Sequence, residues 1–199
     1  MTSLYNKLTR LDENKKSIKV SIIGAGLMGK GMVSQMMLVK GMTPSLVVSN
    51  KISDAVEAYT LAGIKRDDIV IAKNLNEINI GMEKNKYVAT DITEFGTKAN
   101  LVDVVVDATG VPDAGAKIAM DSIENKKHIV MLNVEADVVV GPILNKMARE
   151  QGVVYTGTAG DEPGAVKEIY DFALATGFEV LAIGKGKNNP INFDATPDS

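Results

Sequence analysis

The sequence predicts an α/β fold, a Rossmann-type doubly wound and mainly parallel sheet with helices on both faces. Three observations predict it. From Ile18 onward short apolar runs alternate with longer amphipathic stretches, glycines punctuate the ends of those stretches, and "IKVSIIGAGLMGKGM" sets GxGxxG between a strand pattern and a helix pattern.

The elements follow in order. In residues 1–17, Leu4, Tyr5, Leu8 and Leu11 lie among Lys, Arg, Asp and Glu. That is a helical stripe, since a secretory signal needs an uninterrupted apolar core. We expect this leader helix to pack on the domain or on a second subunit. "IKVSII" is the first strand, and the helix after it carries Met28, Met32 and Met36 as a buried stripe. "SLVVS" precedes the helix "SDAVEAYTLAG", and the segment from "KRDDIV" to "YVATD" holds one or two short strands. "DVVVDATG" leads into "AGAKIAMDSIENK", "HIVML" into a helix around "VGPILNKMAREQG", and "VVYTG" into "PGAVKEIYDFALATG". "FEVLAIG" reads as a last strand. Gly63, Gly152 and Gly177 follow helical stretches, where a left-handed residue is commonly needed. Pro142 and Pro163 suit first-turn positions, where a missing N–H costs little.

We assign residues 18–184 to the dinucleotide domain. The tail 185–199, "KGKNNPINFDATPDS", reads as the start of a substrate or oligomerisation region, with a frayed terminus as the alternative.

Composition narrows the function. The chain has 199 residues, is 45% hydrophobic and carries a formal net charge of -3, so no global positive field attracts nucleic acid or an anionic membrane surface. It has no cysteine, which excludes disulfides, zinc–thiolate sites and a thiol nucleophile. No run approaches the roughly 20 apolar residues of a membrane span. A cytoplasmic enzyme acting on a small molecule, homo-oligomeric in its full-length form, is the expectation.

The glycine-rich turn has two readings. Gly24, Gly26 and Gly29 form GxGxxG, whereas Gly24 to Lys30 is GxxxxGK, nearly a nucleoside-triphosphate loop. That second loop needs Ser or Thr directly after its Lys to hold magnesium, and Gly31 stands there. An ATPase is the weaker reading. In the dinucleotide reading Gly24 permits the tight turn, Gly26 lets backbone N–H groups approach the pyrophosphate, and Gly29 allows close helix–strand packing. Ala25, Leu27 and Met28 complete the turn and open the helix, whose positive dipole end faces the phosphates.

The end of the second strand distinguishes the cofactors. An acid there would accept from the ribose hydroxyls of NAD, but Ser49, Asn50 and Lys51 occupy it. They can donate to a 2′-phosphate, so NADP is preferred. NAD stays open, through Asp54. "DATG" places Ala108, Thr109 and Gly110 beneath the nicotinamide half, and Asp107 either acts there or caps its own turn. Three later strand ends carry polar groups: Asn133 and Glu135 beside the cofactor, Asp161 and Glu162, then Lys185 and Lys187. In carbonyl reduction some group must protonate or polarise the developing alkoxide, and a lysine with a carboxylate can do so. Asp161 and Glu162 equally suit a helix N-terminus, and the lysines equally suit solvent. A divalent metal requirement stays open. The competing class is a non-catalytic NAD(P) sensor.

Taken together, "LYNKL", "IGAGLMGKGM", "VDVVVDATG", "NVEADVVVGPIL", "TGTAGDEPGAVKEIYDFALATGFEV" and "GKGKNNP" resemble the N-terminal part of homoserine dehydrogenase-like oxidoreductases. The order of motifs is closer still to the deoxyxylulose-phosphate reductoisomerase-like group, which often carries a C-terminal SAF domain. The resemblance implies NADP-dependent reduction, coupled in some members to isomerisation of a sugar phosphate. It also implies a substrate domain beyond this stretch, and catalysis by a lysine after the last strand with a nearby acid. By position these are Lys185 or Lys187 and Asp161 or Glu162. The words "GKGKNN" and "GDEPG" depart from the homoserine-enzyme pattern, so homoserine dehydrogenase proper is an alternative only.

Overall fold

The computed structural model describes residues 3–158 and 164–184. The chain divides into two compact units, before and after the Gly157–Thr158 link.

The first unit opens with α1 (Leu4–Glu13), capped by Ser3, whose hydroxyl accepts from the Asn6 N–H at 3.3 Å. Its Leu8 carbonyl presses on Gly41, where an added Cβ would come within 2.2 Å. Leu8 and Leu11 are half-buried, while Leu4 and Tyr5 stay exposed. The elements that follow are β1 (Ile18–Ile23), α2 (Leu27–Met36), β2 (Met42–Val48), α3 (Ile52–Leu61), β3 (Ile69–Ile71), α4 (Leu75–Glu83) and β4 (Tyr87–Thr90). Next come α5 (Thr93–Lys98), β5 (Val104–Asp107), α6 (Pro112–Glu124), β6 (His128–Met131), α7 (Val134–Gln151) and β7 (Tyr155–Gly157).

The seven strands form one sheet in the order β3-β4-β2-β1-β5-β6-β7, and every neighbouring pair is parallel. Alternation along the strands explains the two-sided burial. Val20 and Ile22 of β1 pack with Val33 of α2 and Ala55, Ala58 and Tyr59 of α3. Ile23 joins Ile78 and Met82 of α4, Ile118 and Ile123 of α6, and Leu144 and Ala148 of α7 on the other face. After β1 the chain adds β2 beside it, crosses to the edge strand β3, fills the place between them with β4, then returns to lay β5 against the free side of β1. The carboxyl ends of β1 and β5 therefore mark the switch point where open α/β sheets bind ligands.

The segment read as one or two strands holds two, β3 and β4, with α4 between them. Three expectations need correction. The methionine stripe is shifted: Gly29 and Val33 are the buried positions of α2, Met32 and Met36 lie partly buried beside them, and Met28 is 62% exposed. Helix α7 begins at Val134, because the Asn133 side chain caps it, so Pro142 falls in the helix interior. Residues 178–184, read as a last strand, form none, since a strand exists only where a neighbour supplies ladder bonds. The glycines after helices do take left-handed conformations, with φ of +85° at Gly63, +71° at Gly152 and +85° at Gly177.

The second unit contains α8 (Gly164–Ala175), in which Lys167 pairs with Asp171 one turn on. Pro163 lies outside the described residues.

Candidate functional site

At the end of β1 the three glycines divide into two kinds. Gly24 has φ +104°, and a Cβ there would meet the Ala108 carbonyl carbon and oxygen at 2.6 Å. A Cβ on Gly29 would lie 1.9 Å from the Gly24 oxygen. Both are needed by the protein itself, to lay the turn on the β5 loop and α2 on the turn. Gly26 differs: a Cβ there meets nothing within 4 Å among the described residues, and its backbone, at φ -75° and ψ -165°, suits any residue. Gly26 is also the cap of α2 and offers no side-chain acceptor, so the first N–H groups of that helix face outward unshared with a cap.

In front of that turn runs a groove of about 250 Å³. Its walls include Gly24, Ala25 and Gly26 from the turn, Ser49 and Asn50 from the end of β2, and Ala108 and Thr109 from the end of β5. These residues come from three separate parts of the sequence, and parallel pairing of β2, β1 and β5 brings them together. Leu27 is 89% exposed at the head of α2, and Met28 beside it is exposed as well. Lys51 caps α3 and is exposed, and Gly110, at φ +68°, is an exposed residue of the β5 loop. The backbone just after β2 is held by the Ser49 N–H, which donates to the Thr90 carbonyl at 3.1 Å.

Beneath the groove lies a polar joint. Asp107 is fully buried and accepts from the Thr109 N–H at 3.0 Å and the Thr109 hydroxyl at 2.7 Å, both on Oδ1. Asn133 is 1% exposed, and its Nδ2 donates to Asp107 Oδ2 at 2.9 Å, the Val111 carbonyl at 2.9 Å and Thr109 Oγ1 at 3.3 Å. Its Oδ1 accepts from the Ala136 N–H at 3.1 Å, which caps α7. Of the two roles open to Asp107, turn capping is the one its bonds fulfil. Glu135, in the first turn of α7, is exposed. The groove also uses Thr93, Val111, Ala114 and Ile118, which sequence reasoning missed. Thr93 starts the helix after β4, and Val111 caps α6 ahead of Pro112 at its first position, a helix-start signal that could have found it.

Lys30 makes contacts that bear on the triphosphate-loop reading. Its Nζ lies 2.8 Å from Glu57 Oε2 and 3.9 Å from Asp54 Oδ1, so the lysine bridges α2 to α3. The Glu57 hydrogen bond, opposed by desolvation and aided by both carboxylate charges, holds its ammonium above the ordinary lysine range. His128 accepts the Val154 N–H on Nδ1 at 3.0 Å, at the first residue of β6 and so at the opposite end of the sheet from the groove. Asp161, Glu162, Lys185 and Lys187 lie outside the described residues. Among the described residues no cluster of His, Cys, Asp or Glu is placed to hold a metal, and no helix is long and apolar enough to cross a membrane.

Comparison with known proteins agrees with this geometry. The family model described as homoserine dehydrogenase, NAD binding domain, matches residues 24–156, about two thirds of the chain. A second, described as oxidoreductase DRL, catalytic domain, matches residues 160–199. No curated protein sequence matches significantly. Among solved structures, S. aureus homoserine dehydrogenase is similar at a TM-score of 0.50 and 18% identity, over 71% of this chain and 32% of that one. Lactobacillus casei myo-inositol dehydrogenase, in complex with NAD(H) and myo-inositol, is similar at 0.54 and 16%, over 79% and 42%. An NAD-binding oxidoreductase from Klebsiella pneumoniae is similar at 0.56 and 15%, over 81% and 39%. At these identities the likeness is one of fold. The chain spans about a third to two fifths of the length of these structures.

Proposed function

The chain belongs to the homoserine dehydrogenase NAD-binding domain family, and from that premise we propose that its groove binds NADP(H) for an oxidoreductase that reduces a small carbonyl substrate such as a sugar phosphate. The observation that carries the reading is the contrast among the three glycines. Gly24 and Gly29 answer to contacts within the protein, whereas nothing among the described residues requires Gly26 to lack a side chain. A pyrophosphate at the head of α2 would require it.

The groove's residues fit a dinucleotide. Gly26 and the leading amides of α2 bind the pyrophosphate; Ala25, Leu27 and Met28 shape the turn around it. Ser49 and Asn50 donate to the adenosine 2′-phosphate, and Lys51 adds positive charge at the head of α3. Ala108, Thr109 and Gly110 support the nicotinamide half. Asn133 acts as a positioning residue, since its polar atoms already hold the β5 loop and α7. Glu135, one helical step on, lies on the substrate side. The bound nicotinamide supplies the hydride.

For proton transfer we propose Lys187, with Lys185 alternative to it, and Asp161 and Glu162 to orient the substrate or a cation. These groups belong to the stretch matched by the oxidoreductase DRL catalytic domain. Residues 185–199 open a substrate or oligomerisation region. We place the protein in the cytoplasm as a homo-oligomer, and isomerisation coupled to reduction as a further capacity of the DRL-like part. The test is an NADPH-oxidation screen of the full-length protein over sugar phosphates, sugar acids and aspartate semialdehyde. Substrate-dependent oxidation supports the reading. NADPH binding without any substrate-dependent turnover would make the protein a sensor instead.

A further inference from the structure

We propose that Lys30 is a specificity-determining residue of the dinucleotide site: by engaging the Asp54 and Glu57 carboxylates on α3, it removes the negative field that would otherwise oppose a 2′-phosphate at Ser49–Lys51. The proposal rests on the NADP reading above and deepens it.

The geometry is specific. Asp54 sits in the first turn of α3, and its N–H donates to the Lys51 carbonyl at 2.9 Å. One helical turn is about 5 Å along the axis, so the Asp54 carboxylate lies well within a Debye length, about 8–10 Å, of the helix head. Glu57 follows less than one turn further on. An acid near the end of the second strand is the device that favours ribose hydroxyls over a phosphate. In this chain the acid is displaced onto the helix and met by a lysine from the neighbouring helix, at 3.9 Å from Asp54 and 2.8 Å from Glu57. With Lys51 and Lys30 against Asp54 and Glu57, the head of α3 is electrically balanced. Without Lys30 it carries net negative charge facing a dianionic group.

The pair is partly exposed, with side-chain exposure of 22% for Lys30, 37% for Asp54 and 53% for Glu57. Solvent screening therefore limits the effect to about two- to fivefold in affinity at low ionic strength.

The test compares NADPH and NADH affinities by calorimetry for the wild-type chain, Lys30→Met, Lys30→Arg, and the triple variant Lys30→Met/Asp54→Asn/Glu57→Gln. Lys30→Met is expected to weaken NADPH about two- to fivefold and leave NADH unchanged, and added salt should shrink the difference. Lys30→Arg should keep the wild-type ratio of affinities, and the triple variant, which leaves Lys51 as a net positive charge, should keep or raise the preference for NADPH. Equal weakening of both cofactors by Lys30→Met, or an unchanged ratio, would overturn the proposal and leave Lys30 a structural tie between helices. A wild-type chain that prefers NADH overturns the NADP reading itself, and that result is read before any variant is made.

Discussion

Asn133 donates its side-chain amide to the buried Asp107 carboxylate at 2.9 Å, joining the carboxyl end of β5 to the first turn of α7. The same amide reaches the Val111 carbonyl and the Thr109 hydroxyl, while its oxygen caps α7. One side chain thereby fixes the loop that supports the groove from below. Asn133→Ala removes a helix cap, worth about 1 kcal/mol, and strips a buried carboxylate oxygen of its donor, worth about 1–3 kcal/mol. A loss of about 2–4 kcal/mol in urea unfolding is expected, together with weaker NADPH binding as the Thr109 loop loosens. Stability within about 0.5 kcal/mol of wild type would show that the joint contributes little to stability.

Ser21 presents the reverse case. Its hydroxyl is fully buried in β1 and has no hydrogen-bond partner among the described residues. An unsatisfied buried hydroxyl costs about 1–3 kcal/mol. Ser21→Ala should therefore leave stability unchanged or raise it by up to about 1 kcal/mol, measured by chemical denaturation. A clear loss would mean that the hydroxyl has a bound partner.

Alkaline pH should weaken the first unit through the partly buried Tyr155 and the fully buried Tyr59. Burial first, and then the 2.6 Å bond and the charge of Asp137, push the Tyr155 phenol well above its ordinary value. Burial does the same to Tyr59, whose hydroxyl donates to the Pro44 carbonyl. A folded-state pKa above the unfolded one, about 10, gives stability that is present below about pH 10 and lost as pH rises toward the folded value. The urea midpoint should thus fall above about pH 10, and Tyr155→Phe should make the fall shallower. An identical slope in the variant would remove Tyr155 from the account.

Much of this architecture is legible in the sequence because it is written locally. The apolar run "IKVSII" ends on Gly24, and both the strand and its turn follow from those residues alone. The helix start at Val134 was not legible, since Asn133 caps α7 while its amide is held by Asp107 and Val111, partners 26 and 22 residues away. The shifted stripe of α2 has the same origin. Contact between Gly29 and the Gly24 carbonyl fixes which face of the helix meets the sheet, and that face excludes Met28. The Lys30 bridge to α3 also arises only when two helices pack side by side.

The lysines of the tail supply a kinetic prediction. In the full-length protein Lys187→Ala should lower turnover by at least about a hundredfold, the scale for losing an acid–base group, with NADPH affinity nearly unchanged. A wild-type rate would move the chemistry to another group, with Glu135 the next candidate.

The contrast among the glycines is the central claim, and NADPH calorimetry on two valine variants tests it most directly. Gly26→Val places its side chain in open space at an extended backbone, with a capping cost of about 1 kcal/mol at most. It should fold and lose NADPH binding. Gly29→Val drives its Cβ into the Gly24 carbonyl, so it should lose fold and binding together. A folded Gly26→Val chain that binds NADPH as tightly as wild type would contradict the account, because the pyrophosphate would then lie elsewhere.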